Sequence, residues 1–175
     1  MDTSLQRWIV EHRWGPLDLL FEALSYIGSF GIIWLLLALA VAGASWRRSW
    51  LPLRVAVTVL LAEMLSGLLK ARLERDRPPL ANPEPEPLVG LPATNSFPSG
   101  HTTVGFACAT VLALAVPRLR WPLFMLAALI AFSRVYVGVH YPLDVLAGAL
   151  VGVVLGLAVR SSGRTLRRTA RPNKH

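Results

Sequence analysis

Residues 96–116 read SFPSGHTTVGFACATVLALAV. The stretch behind His101 carries no charge, yet Pro98, Ser99, Gly100 and His101 stand in immediate succession at its mouth. From Ser99 to Val116 it would make a helix of roughly 27 Å at about 1.5 Å per residue, close to the thickness of a bilayer's hydrocarbon. Pro117 ends it. An apolar helix with a titratable ring at one end places chemistry at the level of a membrane surface.

The rest of the chain fits that setting. It has 175 residues, 54% of them hydrophobic, and a mean hydropathy of +0.50. That suits one domain crossing a membrane several times. Five spans are expected: Phe21 to Trp46, Leu51 to Leu69, Ser99 to Val116, Trp121 to Val139 and Pro142 to Val159. The predicted class is an all-α integral membrane protein, a compact bundle of five transmembrane helices. Gly148, Ala149, Gly152 and Gly156 give the last helix a small-residue stripe suited to close packing. The N-terminal MDTSLQRWIVEHRWGP lacks the apolar core of a signal peptide. Its Leu5, Trp8 and Ile9 at helical spacing predict an amphipathic helix lying in the interface, the alternative being a partly ordered tail. Cys108 is the single cysteine and reads as a small buried hydrophobe.

The net charge of +8 is unevenly placed. Arg47, Arg48, Arg54, Arg118, Arg120, Arg160, Arg164, Arg167, Arg168, Arg171 and Lys174 gather on one face of the expected bundle without any acid. Of the ten acidic residues, Glu63 falls inside the second span and the others on the opposite face. The positive-inside rule puts the arginine face and the C-terminus in the cytoplasm. Such a charge distribution speaks for topology and against nucleic-acid binding. It divides the chain into a membrane domain, 1–160, and a basic cytoplasmic tail, 161–175, set against anionic headgroups. The loop from Lys70 to Pro98 contains RPPLANPEPEPLVGLP, too rich in proline for regular structure, and is either a lid or a spacer.

Three groups converge on the outer level. Lys70 and Arg77 end the second helix, Ser99, Gly100 and His101 begin the third, and Ser133, Arg134, His140 and Asp144 occupy the turn between the fourth and fifth. A single cation at a boundary merely snorkels. Three of them beside a helix N-terminus resemble a receptor for an oxyanion, with Gly100 leaving room for backbone approach. Ser99 is either the helix cap or a direct phosphate donor. Asp144, four residues after His140, can accept from one ring nitrogen and leave the other free to attack phosphorus, while His101 serves as general acid. No third ligand accompanies the histidines, and the arginines would repel a cation, so neither metal nor cofactor is expected.

Lys70–x6–Arg77–Pro78, Pro98-Ser99-Gly100-His101 and Ser133-Arg134–x5–His140–x3–Asp144 together resemble the three signature motifs of the type 2 phosphatidic acid phosphatase (PAP2) superfamily, in its order. Many membrane members have six spans, one more than is expected here. The resemblance implies a metal-independent mechanism. His140 would form a phosphohistidine, Asp144 would orient it and His101 would protonate the leaving group. Lys70, Arg77, Ser99, Gly100 and Arg134 would hold the phosphate oxygens. Among the superfamily's bacterial lipid phosphatases the chain most resembles those acting on undecaprenyl diphosphate. Phosphatidylglycerophosphate, phosphatidate and lipid A 1-phosphate are the competing substrates. The related vanadium haloperoxidases are soluble and much larger. A small transporter or scaffold built around Glu63 is the non-enzymatic alternative. Oligomeric state is not legible.

Overall fold

The computed structural model describes residues 1–44 and 48–169, with side chains up to Val159. Among these residues the protein is helical throughout, with no strand. Helices α1 (Asp2–Glu11), α2 (Gly15–Ile27) and α3 (Ile32–Gly43) form the N-terminal part. They are followed by α4 (Leu51–Leu73), the single turn α5 (Pro78–Ala81), α6 (Gly100–Ala115), α7 (Arg120–Tyr136) and α8 (Pro142–Thr169). Proline sits in the first turn of α2, α4 and α5 and opens α8, where its missing N–H costs no hydrogen bond.

The helix carrying the quoted stretch is the axis of the bundle. Nearly every residue of α6 from Gly100 to Ala113 is buried, against α4, α7 and α8. Trp34, Leu51, Val55 and Ile130 complete a continuous apolar core around it. The small-residue stripe explains the closest of these contacts. A Cβ on Gly152 would lie 2.5 Å from the Thr103 carbonyl oxygen, and one on Gly156 2.8 Å from that of Ala107. Both obstacles are backbone, so α8 reaches α6 only because side chains are missing there. Cys108 is buried in the same core.

Among the described residues, three helical segments are long and apolar enough to cross a membrane: 51–81, 117–136 and 142–159. The expected first span, Phe21 to Trp46, is instead two helices meeting at 57°, and the pair counts as one further span by length and composition. The break lies at residues 28–31, where Phe30 (φ 55°) and Gly31 (φ 69°) adopt left-handed backbone that a continuous helix excludes. The expected third span is a shorter apolar helix of 16 residues, because Ser99 and Val116 are non-helical at its two ends. An exposed helix of that length falls short of the bilayer; α6 is surrounded by protein, so its ends need not meet lipid. By length and composition the described residues thus hold three or four candidate spans, with α6 a further, shorter apolar helix enclosed among them.

The fourth helix stops at Tyr136, since Gly138 (φ 89°) turns the chain toward α8. The proline-rich loop does contain regular structure: Pro78 and Pro79 start the turn α5. Helix α8 runs past the expected tail boundary at 160 and continues to Thr169. The tail side chains, and Arg47 in the first short loop, lie outside the described residues. Helix α1 is present where an amphipathic helix is expected, with Leu5 and Trp8 exposed and Gln6 and Val10 buried.

Candidate active site

Antiparallel neighbours bring the C-terminal ends of α4 and α7 and the N-terminal ends of α6 and α8 to one level. There they surround a cavity of about 270 Å³ lined by Lys70, Arg77, Gly100, His101, Arg134 and His140, together with Ser29, Glu63 and Thr94. Of the residues expected to act on substrate, six line it. Arg54, near the start of α4, stacks on Trp50 at 4.3 Å, and Arg120, at the start of α7, lies 5.2 Å from the Trp121 ring. Arginine and tryptophan thus mark the opposite end of the bundle, as anchors at a membrane interface do.

His140 is buried between two kinds of partner. Its Nδ1 lies 3.3 Å from Asp144 Oδ2, and its Nε2 lies 3.2 Å from Arg77 Nη1. A guanidinium only donates, so Nε2 is the acceptor and the ring proton resides on Nδ1, facing the carboxylate. That lone pair is engaged by the guanidinium, and both residues line the cavity. Burial, then the charges of Arg77, Arg134 and Lys70, hold the imidazole well below its ordinary pKa. His140 is consequently neutral at physiological pH, the form a nucleophile needs.

Arg77 is clamped by backbone. Its Nε donates to Thr94 O at 2.7 Å and its Nη1 to Val139 O at 2.9 Å. Its Nη2 reaches Thr94 Oγ1 at 3.2 Å, an oxygen that also accepts from Lys70 Nζ at 3.2 Å. The loop 82–97 is thus a wall of the site, and Leu88 N–H donates to Val137 O at 3.0 Å to fasten it to the α7–α8 turn. Arg134 donates through Nη1 to Ser25 Oγ, while its buried Nε has no partner among the described residues. A buried, unpaired cationic N–H beside the cavity suits an anion. Gly100 lines the cavity, where a Cβ would stand 3.3 Å from Ser66 Oγ, 3.8 Å from Glu63 Oε2 and 4.0 Å from Lys70 Nζ.

Two expected residues lie outside the cavity lining. Asp144 is behind His140, fully buried. Ser99 is also buried, and its Oγ accepts from Thr102 Oγ1 at 3.1 Å without capping α6 by its side chain. Its backbone does hold the N-cap position of α6, the first of the two expected roles, with extended dihedrals. Sequence reasoning missed Ser29, whose Oγ is 3.1 Å from His101 Nε2. It also missed Thr94, and Arg75, which binds Asp144 Oδ1 at 2.6 Å. Only Arg75 carried a signal, as one charge within KARLERDRP. Among the described residues no three His, Cys, Asp or Glu side chains converge as metal ligands would.

The family model of the PAP2 superfamily matches residues 51–168. The chain belongs to that superfamily. A decaprenylphosphoryl-5-phosphoribose phosphatase of Mycobacterium tuberculosis is 35% identical over 144 residues, covering 81% of this chain and 78% of the relative. The undecaprenyl-diphosphatase BcrC of Bacillus subtilis is 39% identical over 69 residues, 39% of this chain and 36% of the relative. In structure, the PAP2 bundle is similar to that of a transmembrane PAP2-type phosphatidylglycerolphosphate phosphatase from Bacillus subtilis. The TM-score is 0.75 at 25% identity, over 99% of this chain and 87% of the other. The protein is accordingly a membrane protein and a lipid phosphatase of the PAP2 superfamily.

Proposed function

We propose that this PAP2 protein hydrolyses a polyprenyl lipid diphosphate, undecaprenyl diphosphate to undecaprenyl phosphate, without a metal and through a phosphohistidine at His140. The observation that carries the reading is the two-sided environment of that ring. Nδ1–H faces a carboxylate and the Nε2 lone pair faces a cavity lined with Lys70, Arg77 and Arg134. Nε2 attacks the terminal phosphorus, the bond to the bridging oxygen breaks, and His101, entering as the imidazolium that the bound diphosphate's negative charge favours, gives its proton to the departing lipid phosphate. His101 then takes a proton from water as it attacks the phosphohistidine, which releases inorganic phosphate and restores neutral His140. The fixed cations meet the charge on the equatorial oxygens. Asp144 stabilises the ring while it carries the phosphoryl group.

An apolar groove supports a lipid substrate. It is lined by Tyr26, Ile27, Ile32, Ile33 and Leu36 and shares Ser29 and Phe30 with the catalytic cavity. A chain lying there would present its phosphate to His140. The arginines at the other end of the bundle favour a cytoplasmic position for that end, and hence an outward-facing active site. The polyprenyl names of two relatives support this lipid class, and lipid A 1-phosphatases among the relatives make lipid A 1-phosphate the second reading.

Purified protein with excess chelator, offered a panel of isoprenyl diphosphates and phospholipid phosphates, tests the reading. Release of phosphate fastest from undecaprenyl diphosphate, and none from His140→Ala, is expected. Preference for a glycerophospholipid overturns the substrate; activity in His140→Ala overturns the nucleophile.

A further inference from the structure

Behind the imidazole, the carboxylate of Asp144 is shared. Oδ2 accepts from the Tyr141 N–H at 2.9 Å and faces His140 Nδ1. Oδ1 accepts from Arg75 Nη1 at 2.6 Å. The other arm of that guanidinium, Nη2, donates to Asp2 Oδ2 at 2.6 Å, and Asp2 Oδ1 accepts from the Leu143 N–H at 2.9 Å. Arg75 also lies over the Tyr141 ring, 4.2 Å from its centroid. The chain of contacts runs from the first turn of α1, through the end of α4, to the first turn of α8 and the ring of His140.

Arg75 differs from the other cations of the site. Lys70, Arg77 and Arg134 line the cavity; Arg75 does not. Its charge is spent on two carboxylates on the far side of the dyad. A guanidinium presents two parallel donors in a rigid plane, so fixing one arm on Asp2 fixes where the other meets Asp144. A carboxylate held at Oδ1 by that arm and at Oδ2 by a backbone N–H has no rotational freedom left. The direction in which it offers Oδ2 to the imidazole is therefore set by Arg75 and the Tyr141 N–H together.

We propose that Arg75, held in place by Asp2 of the N-terminal helix, is a positioning residue for the His140–Asp144 dyad, and that α1 is a working part of the catalytic apparatus. The proposal rests on the reading of His140 as nucleophile. Arg75 touches neither substrate nor the reacting atoms. It acts by keeping Asp144 aligned, so its loss lowers turnover and leaves substrate affinity alone.

Arg75→Met, Arg75→Lys and Asp2→Asn, assayed beside Asp144→Asn and His140→Ala in detergent-purified protein, test it. Arg75→Met is expected to lower kcat about 10- to 100-fold with KM within about twofold, and Arg75→Lys to recover part of the loss. Asp2→Asn should lower kcat less. The double variant Arg75→Met/Asp144→Asn should be little worse than Asp144→Asn alone, because both act through one carboxylate. Unchanged kcat, a rise in KM at constant kcat, or fully multiplied losses in the double variant overturns it. Should Arg75→Met fail to fold, Arg75→Lys and Asp2→Asn decide by the same split between kcat and KM. If His140→Ala still releases phosphate, the nucleophile reading falls; if it is inactive and the Arg75 variants are not, the positioning role alone falls.

Discussion

Arg77 Nη1 stands 3.2 Å from His140 Nε2, donating to the lone pair that the proposed reaction uses. The guanidinium thus stands on the side of the ring from which, in the proposed reaction, phosphorus approaches. In the proposed reaction, phosphate binding would transfer that donor from the ring to a phosphate oxygen and free the nucleophile. Because Nη1 also donates to Val139 O, and Nε to Thr94 O, the guanidinium stays in place during the exchange.

A lysine at position 77 keeps one charge and loses the fork. Arg77→Lys is expected to lower kcat/KM by about 10²-fold or more, since one ammonium cannot hold two carbonyls and a phosphate oxygen together. Steady-state kinetics on the preferred lipid check this; a loss under about fivefold would show that charge alone suffices.

Asp144→Asn keeps shape and removes the charge that supports the imidazole. A fall in kcat of roughly 10²- to 10⁴-fold is expected, as for the orienting carboxylate of other nucleophile–histidine systems. Thermal unfolding of the variant beside wild type separates this from misfolding.

His140 gives a pH signature in stability. Its pKa is depressed in the folded protein and ordinary, near 6.5, when unfolded. The unfolded chain therefore binds more protons below that value, and stability declines as pH falls through it, by at most about 1.4 kcal/mol per pH unit. Above it the histidine contributes no slope. His140→Asn should flatten the loss between pH 7 and pH 5. Parallel melting curves for variant and wild type across that interval would contradict the buried neutral ring.

Vanadate, which adopts the five-coordinate geometry of phosphorus in transfer, should inhibit at micromolar to millimolar concentration. Glu63 lines the same cavity and opposes an anion there. Glu63→Gln is expected to tighten vanadate binding about three- to tenfold. Weaker inhibition in the variant would give Glu63 a role in organising Lys70 instead.

Gly152→Ala tests the axis of the bundle. Its Cβ would stand 2.5 Å from Thr103 O, and backbone must move to admit it. A destabilisation of about 1–3 kcal/mol follows, read as a lowered melting temperature. Gly43→Ala, where no atom lies within 4 Å, is the control and should be neutral or slightly stabilising.

The sequence by itself determined the helical membrane class, the family and the main cast of the site. Lys70, Arg77, His101, Arg134, His140 and Asp144 are charged or ionisable groups at fixed spacings beside helix ends, and helix ends are legible from apolar runs and proline. Tertiary structure alone decided how those residues are used. It broke the first span at Phe30 and Gly31, enclosed α6 so that a short helix suffices, and placed Asp144 behind the cavity. It also recruited residues that no spacing marks. Ser29 meets His101 across 72 positions, Arg75 meets Asp144 across 69, and Asp2 meets Leu143 across 141. Periodicity reports which face of a helix is apolar; which distant polar side chains meet depends on how the helices cross, and that is fixed by packing around α6.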